Sequence, residues 1–266
     1  MPDLDPVLLT SPSVRCGTTL LQRLLCSARN TLVYGEEVGK DLDLQLQVLA
    51  ARETVYMRSR QALTERLAHV LAGDRDEWLV DLMPDLDRYL AALRQGALAG
   101  LASCREHAHS VGRPVWGIKY PGWPPHLLEL LHQAVPRTRV VYVVRDLGDT
   151  ARSAKAWLGL STESAVEAFC AQWLAHVAFM RQWAGQHAVL WLRHEDLLAS
   201  PGPTLATLRD FLPVGEMDLR VLERRVNRDG GLAETWLAPQ PYLAPAPLTA
   251  REQACVDATM AASGLN

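Results

Sequence analysis

The chain has 266 residues, of which 48% are apolar and 21% are charged, so it can bury one sizeable core. Its formal net charge of −3 at pH 7 argues against the broad positive field that nucleic-acid or membrane-surface binding needs, and we expect neither partner. The N-terminus lacks a basic signal region, and no run approaches the roughly 20 apolar residues of a membrane span, so we expect a cytoplasmic protein.

The cysteines are odd in number, widely scattered and free of any C-x-x-C pair. This pattern argues against a disulfide framework and against a structural zinc site, and it favours a reducing compartment. The five cysteines are Cys16, Cys26, Cys104, Cys170 and Cys255. We predict no metal site.

Short apolar or β-branched runs, each bounded by turn residues, alternate with segments of helical periodicity along the chain. The predicted strands are Val7–Thr10, Thr31–Tyr34, Val115–Ile118, Arg139–Val144 and Ala188–Leu192. This alternation predicts an α/β fold with a central parallel sheet flanked by helices, in a single domain of residues 1–266.

Two segments depart from the alternation. Residues 39–112 are rich in Leu, Ala, Arg and Glu, and we interpret them as a helical insertion that forms a lid over the acceptor. Residues 227–247 contain two adjacent glycines and four prolines, which predicts an irregular loop. A last helix is predicted from about Thr249 to Ala262.

The first chemical motif, Ser11-Pro-Ser-Val-Arg-Cys-Gly-Thr-Thr19, follows the first predicted strand and leads into an amphipathic helix. Loop amides and a helix N-terminus directed at one point form an anion site, and Arg15 adds a bidentate donor. Alternatively, Gly17 only makes a turn and Thr18 only caps a helix. The loop lacks the lysine of the G-x-x-x-x-G-K-[ST] motif of nucleotide kinases, because Thr18 follows Gly17.

This segment resembles the 5′-phosphosulfate loop, P-[RK]-[ST]-G-T-[TS], of sulfotransferases that use 3′-phosphoadenosine 5′-phosphosulfate (PAPS). The resemblance implies a P-loop-type three-layer fold. It also implies that the phosphosulfate is held by Arg15, Cys16, Gly17, Thr18 and Thr19. The sequence departs from the pattern at Val14, where proline is usual, and at Cys16, where a hydroxyl residue is usual.

A second segment, Val140 to Ser153, places Arg145 at the end of an apolar strand and Ser153 eight residues later in a predicted helix. Ligands of open parallel sheets bind beyond the carboxyl ends of the strands, where both residues can reach the first loop. The segment resembles the family element R-D-P-R-D-x-x-x-S, which implies that Arg145 and Ser153 bind the 3′-phosphate. A simple Arg145–Asp149 ion pair is the structural alternative.

The catalytic candidates follow two other predicted strands. Gly35-Glu-Glu37 resembles the G-E-E element of tyrosylprotein sulfotransferases and bacterial relatives, which implies that Glu37 is the base, with Glu36 as the fallback. Lys119 lies in a segment that resembles the family's K-x-P element, which implies that it contacts the transferring sulfuryl group. Alternatively, the two glutamates have no catalytic role and only stabilise the N-terminus of a helix, and Lys119 only extends its charged end to solvent at the end of a strand.

A further segment around His194-Glu-Asp-Leu197 resembles the family's fifth strand and its E-D-L turn, and we assign it to the scaffold. The combined hypothesis is sulfuryl transfer from PAPS to a hydroxyl or amine of a small-molecule or peptide acceptor, with release of 3′-phosphoadenosine 5′-phosphate (PAP) and without a metal. A P-loop kinase and a non-catalytic nucleotide-binding module are the alternatives. The excess of arginine over lysine suggests a bacterial source.

Overall fold

A single parallel sheet of five strands organises the part of the protein that the structure describes. The computed structural model describes residues 4–74, 81–223 and 244–265. The strands are β1 (Val7–Thr10), β2 (Thr31–Tyr34), β3 (Val115–Lys119), β4 (Arg139–Val144) and β5 (Val189–Arg193). They pair in the order β2-β3-β1-β4-β5, and each pair is parallel. The predicted α/β fold is thus confirmed, with β3 longer than predicted by one residue and β5 displaced by one.

Helices connect the strands and cover both faces of the sheet. They are α1 (Thr18–Ser27), α2 (Glu36–Arg58), α3 (Arg60–Leu71), α4 (Leu86–Ser110), α5 (Pro125–Ala134), α6 (Leu147–Leu158), α7 (Glu163–Ala184), α8 (His194–Ala199), α9 (Pro201–Phe211) and α10 (Ala250–Ser263). The segment interpreted as an insertion is mostly helical where it is described, with an irregular stretch at residues 81–85, and its first helix already begins at Glu36. Residues 227–243 of the predicted irregular loop lie outside the described residues.

The sheet divides two apolar cores, because neighbouring side chains of a strand point to opposite faces. Leu8 packs with the side chains of α5 and α7, whereas Leu9 packs with those of α1 and α9, and neither leucine is exposed. Burying each such side chain contributes about 1.5–3 kcal/mol, so both helical layers are held firmly on the sheet. No helix among the described residues has the length and apolar character to cross a membrane.

The strand order determines where a ligand site can form. The chain passes from β1 to β2 on one side of the sheet, and then returns through β3 and crosses β1 to reach β4. The segments that follow β1, β3 and β4 therefore meet at one edge, around the carboxyl end of the central strand. In open parallel sheets this is where a crevice accommodates ligands.

Candidate active site

The loop between β1 and α1 is held to the end of β3. The Thr10 hydroxyl donates to the carbonyl of Tyr120 at 2.7 Å, and the Gly122 amide donates to the carbonyl of Ser11 at 2.8 Å. Two residues of this loop have left-handed backbone conformations, Arg15 with φ 72° and Gly17 with φ 92°. These bonds and turns fix the path of the loop before any ligand binds.

Gly17 cannot be replaced without rearrangement. A Cβ atom at this position would lie 2.3 Å from Nδ1 of His194, in addition to the strain of a positive φ. His194 begins α8 behind the loop, and its Nδ1 is a buried atom without a partner among the described residues. Burial, assisted by the nearby Arg145 charge, lowers the pKa of His194, so the imidazole is neutral beside the glycine.

Helix α1 directs uncapped amides toward the loop. Gly17 is its N-cap residue and offers no side-chain acceptor, and the amide of Leu21 is the first to bond within the helix, to the carbonyl of Gly17. The amides of the first turn, at Thr18 and Thr19, therefore remain available as donors. The first turn also contains no acidic side chain. These features favour an anion at the helix N-terminus.

Arg15 crosses from the loop to α6. Its Nε donates to the hydroxyl of Ser153 at 2.9 Å, and its guanidinium carbon lies 5.9 Å from the ring centre of Trp157. Ser153 and Trp157 are four residues apart and share one face of α6. The structure thus brings two residues of the separate predicted motifs, Arg15 and Ser153, into direct contact.

Arg145 supports the loop from the end of β4. It donates from one terminal nitrogen to the carbonyl of Arg15 at 3.2 Å, and another terminal nitrogen lies 3.6 Å from the carboxylate of Asp149. The ion pair that was the structural alternative is therefore present. The Nε of Arg145 is buried and has no partner among the described residues, so the guanidinium retains an unused donor.

The side chain of Cys16 points away from the loop surface. It is completely buried, and its Sγ lies 3.6 Å from the Ser13 hydroxyl and 4.0 Å from the Thr150 hydroxyl. Burial raises the pKa of this thiol. Only the backbone of Cys16 faces the region where the motif predicts the phosphosulfate.

Lys119 lies at the end of β3 and joins the loop to the start of α2. Its side chain is 7% exposed, and its Nζ donates to Oε1 of Glu36 at 2.5 Å and to the hydroxyl of Thr19 at 3.1 Å. Glu37 points elsewhere, because it is 78% exposed and pairs with Lys40 at 2.6 Å. The structure therefore places Glu36, rather than Glu37, beside Lys119.

The turn after β5 braces the turn after β4. Oε1 of Glu195 accepts a hydrogen bond from the Asp146 amide at 2.8 Å, and Asp146 in turn caps α6 by accepting from the Asp149 amide at 2.8 Å. This arrangement agrees with the scaffold role assigned to the E-D-L turn. It also orients Arg145, which immediately precedes Asp146.

These parts line a small cleft of about 80 Å³ at the carboxyl edge of the sheet. Its walls are formed by Val14, Arg15, Gly17, Thr18, Thr19, Glu36, Pro121 and Trp157. Sequence reasoning did not single out Trp157, although its position one helical turn after Ser153 was a usable signal. It also treated His194 only as scaffold, and no sequence pattern indicates that His194 packs on Gly17. Among the described residues, no group of three or more histidine, cysteine, aspartate or glutamate side chains could hold a metal ion.

Comparisons with known proteins agree with this architecture. A sequence model of the sulfotransferase family matches residues 12–217. The sulfotransferase domain from the curacin biosynthetic pathway has a similar structure, with a TM-score of 0.53, 15% identity, and coverage of 97% of this chain and 98% of that domain. The sulfotransferase domain of the Synechococcus PCC 7002 olefin synthase aligns with a TM-score of 0.49, 16% identity, and coverage of 98% and 96%. At 15% identity, the similarity to the domain from the curacin pathway shows the fold alone. No curated protein sequence matches the chain.

Proposed function

The chain belongs to the sulfotransferase family, and we propose that it transfers a sulfuryl group from PAPS to a hydroxyl or amine acceptor and releases PAP. The observation that carries the proposal is the contact between Lys119 and Glu36 at the edge of an anion-binding loop, 2.5 Å from Nζ to Oε1. A positive donor directly beside a carboxylate that lines the cleft can serve the leaving group while the carboxylate serves the attacking group of the same transfer.

The residues around the loop fit the two anionic ends of PAPS. The first-turn amides of α1 and the hydroxyls of Thr18 and Thr19 would hold the 5′-phosphosulfate. Arg145, with its unused Nε, and Ser153 would hold the 3′-phosphate. Arg15 lies between these two groups, since it belongs to the loop and already contacts Ser153.

PAPS supplies an activated sulfuryl group, and the protein supplies position and charge. We assign the base to Glu36, whose side chain is 36% exposed at the cleft and can accept the proton of an attacking hydroxyl or amine. The acceptor atom forms a bond to sulfur while the bond from sulfur to the oxygen of the leaving nucleotide breaks. Lys119 donates to the oxygen on which negative charge grows, and the loop amides stabilise the remaining sulfuryl oxygens.

The assignment of the base differs from the sequence preference for Glu37. Glu37 lies on α2 immediately after Glu36, but it faces solvent and its carboxylate is occupied by Lys40. A base must come within hydrogen-bond reach of the acceptor proton, and the Glu36 side chain lines the cleft whereas that of Glu37 does not. Which of the two glutamates acts remains a prediction.

Nothing in the loop favours a kinase. Thr18 occupies the position where a kinase loop has its phosphate-binding lysine. Lys119 reaches the same loop from β3, but it is paired with a carboxylate. A module that only binds nucleotide would have no need for that pair.

The proposal is tested by incubating the protein with PAPS and a panel of phenols, alcohols, amines, sugars and a tyrosine-containing peptide, and by mass spectrometry of the products. The expected result is a sulfated acceptor together with PAP. In parallel, PAP at 100 times its dissociation constant should stabilise the fold by about 2.7 kcal/mol without magnesium, whereas ATP with magnesium should do little. Stabilisation by ATP with magnesium and not by PAP would overturn the proposal.

A further inference from the structure

A second cleft lies at the opposite edge of the sheet from the active site. It has a volume of about 440 Å³ and opens between the last turns of α5 and α7. These helices lead directly into β4 and β5, so the cleft is at the amino ends of the strands. It is lined by Glu129, His132, Gln133, Phe179, Gln182, Trp183, Gln186 and His187.

Two histidines meet in this cleft. Nε2 of His132, on α5, lies 3.0 Å from Nδ1 of His187, which follows α7. The indole of Trp183 holds both rings, since it meets His132 edge-on at 5.8 Å and lies 4.1 Å from His187 between ring centres. Trp183 itself is only 6% exposed, so the two imidazoles rest on a fixed support.

This half-buried pair differs from His176, which is buried in the core. Both ring nitrogens of His176 are bonded, one to the Tyr142 hydroxyl and one to the Trp123 carbonyl, each at 2.9 Å. That histidine is satisfied as part of the core. In contrast, the outer nitrogen of His132, Nδ1, is a buried atom with no partner among the described residues. The contact between His132 and His187 is therefore not explained as a link in a wider network.

The geometry of the pair points to a cation. Only one hydrogen can lie between two ring nitrogens at 3.0 Å, so at least one of them presents a lone pair to the other. Zinc binds imidazole nitrogens at about 2.0–2.1 Å, so two nitrogens in a tetrahedral site are separated by about 3.3 Å. The separation of 3.0 Å is that of a hydrogen bond, so the two nitrogens must move apart by about 0.3 Å and both rings must turn before their lone pairs can share an ion.

We propose that His132 and His187 form a binding site for one divalent transition-metal ion of the zinc type. The hydrogen between the rings moves to an outer ring nitrogen, both imidazoles remain neutral, and the two facing nitrogens coordinate the ion. Glu129 lies three residues before His132 on the same face of α5, so its carboxylate can turn toward the ion. Water completes the coordination, because no three metal-binding side chains already converge in the described residues.

The ligand set determines which ions bind. Imidazole and carboxylate ligands suit zinc, nickel and copper, whereas magnesium and calcium prefer oxygen ligands alone. His132 lies in the last turn of α5 and His187 follows α7, so a bound ion cross-links α5 to the segment after α7. Such an ion stabilises the fold without contacting the sulfuryl-transfer site.

The test uses metal-free protein, prepared with a chelator that is then removed, and zinc chloride as the probe. With zinc at 100 times its dissociation constant, the melting temperature of the wild type should rise by about 5 °C or more, and magnesium should have no such effect. His132→Ala and His187→Gln should each abolish most of the rise. His126→Ala is the matched control, because His126 is exposed on the same helix and should leave the rise intact.

Cobalt(II) distinguishes this site from the cysteines. Bound by nitrogen and oxygen, it should show ligand-field bands without a thiolate-to-metal charge-transfer band, and Cys104→Ser should not alter the spectrum. PAP binding by each variant shows that it is folded. Three results would overturn the proposal: equal zinc shifts in wild type and His132→Ala, a thiolate band, or a shift that requires millimolar zinc in the wild type.

Discussion

Lys119 and Lys155 each pair with a glutamate, but they use the carboxylate differently. Lys155 on α6 donates to both oxygens of Glu252 at 2.9 and 2.6 Å, and the backbone amide of Thr249 adds a third bond at 2.7 Å. Only 2% of the Glu252 side chain is exposed. Lys119 engages one oxygen of Glu36, whose side chain is 36% exposed at the cleft. The first pair is complete, whereas the second can still bind another group.

The same distinction separates two arginines. One terminal nitrogen of Arg113 donates to the carbonyls of Cys26, Ala28 and Thr31, so this side chain ties α1, β2 and the end of α4 together. Arg145 holds one loop carbonyl and keeps its Nε without a partner among the described residues. In these two comparisons, the side chain that retains bonding capacity belongs to the candidate site, and the side chain bonded to several partners belongs to the scaffold.

The largest expected effect on activity comes from Glu36, the carboxylate that can still bind another group. Glu36→Gln should lower kcat by about 10²–10⁴-fold, because the amide cannot accept the acceptor's proton. Glu37→Gln is the matched control and should remain near wild type, since its carboxylate faces solvent. Steady-state kinetics with PAPS and a sulfated acceptor measures both. An active Glu36→Gln beside an inactive Glu37→Gln would restore the base predicted from sequence.

Replacement of Lys119, the partner of Glu36, should have the next largest effect on activity. Lys119→Met removes the donor to the leaving oxygen and should reduce kcat by about 10²–10³-fold, the effect typical of one preorganised donor. Its thermal stability should change little, because Glu36 can turn to water. A large fall in melting temperature with an unchanged kcat would show that Lys119, like Lys155, belongs to the scaffold.

Arg145 should affect ligand choice more than rate. A guanidinium bound to a phosphate makes charge-assisted bonds worth about 1.5–3 kcal/mol, so Arg145→Ala should weaken the binding of PAP by about 10- to 100-fold. AMP lacks the 3′-phosphate, so its affinity for the variant should be almost unchanged. Calorimetry with both ligands and both proteins gives the difference directly. Equal losses for PAP and AMP would assign Arg145 to support of the loop, through its bond to the Arg15 carbonyl.

The sequence was sufficient to predict the sheet and to place Arg15, Lys119 and Ser153 together around the first loop. The run Val140 to Val144 is buried on both faces of the sheet, and such runs have a recognisable apolar composition. Arg15, Lys119 and Ser153 could be found because each follows a predicted strand at a position where parallel strands bring ligands together.

The choice between Glu36 and Glu37 could not be predicted, because it depends on where α2 begins. Neighbouring residues of a helix differ by about 100° in direction, so a start displaced by one residue exchanges the side chain that faces the cleft. The contact of His194 with Gly17 was also out of reach, since it depends on how α8 packs against the loop. Local patterns contain no information on such packing.

For the Lys155–Glu252 pair, the expected effect of a substitution is on stability. Lys155→Met leaves Glu252 with 2% exposure and without its cation, although the amide of Thr249 still donates to it. Removing one partner of a buried ion pair is destabilising, so the melting temperature should fall by several degrees. The kcat at a temperature where the variant is folded should stay near wild type. A melting temperature equal to that of wild type would mean that the pair is not structural, and would contradict the comparison.

The smallest effect is the pH dependence of that same pair. The hydrogen bond from Lys155, followed by that from the Thr249 amide, lowers the pKa of Glu252 below its ordinary value of 4.5. A carboxyl group whose pKa is lower in the folded state than in the unfolded state stabilises the protein above the unfolded pKa, and that stabilisation is lost as the pH falls through the folded pKa. The difference in melting temperature between wild type and Lys155→Met should therefore be constant above about pH 5 and should shrink below it. Other carboxyl groups titrate in both proteins and cancel in the difference. A difference that stays constant down to pH 3 would show that Lys155 stabilises the fold by packing its methylene groups, and not by its charge.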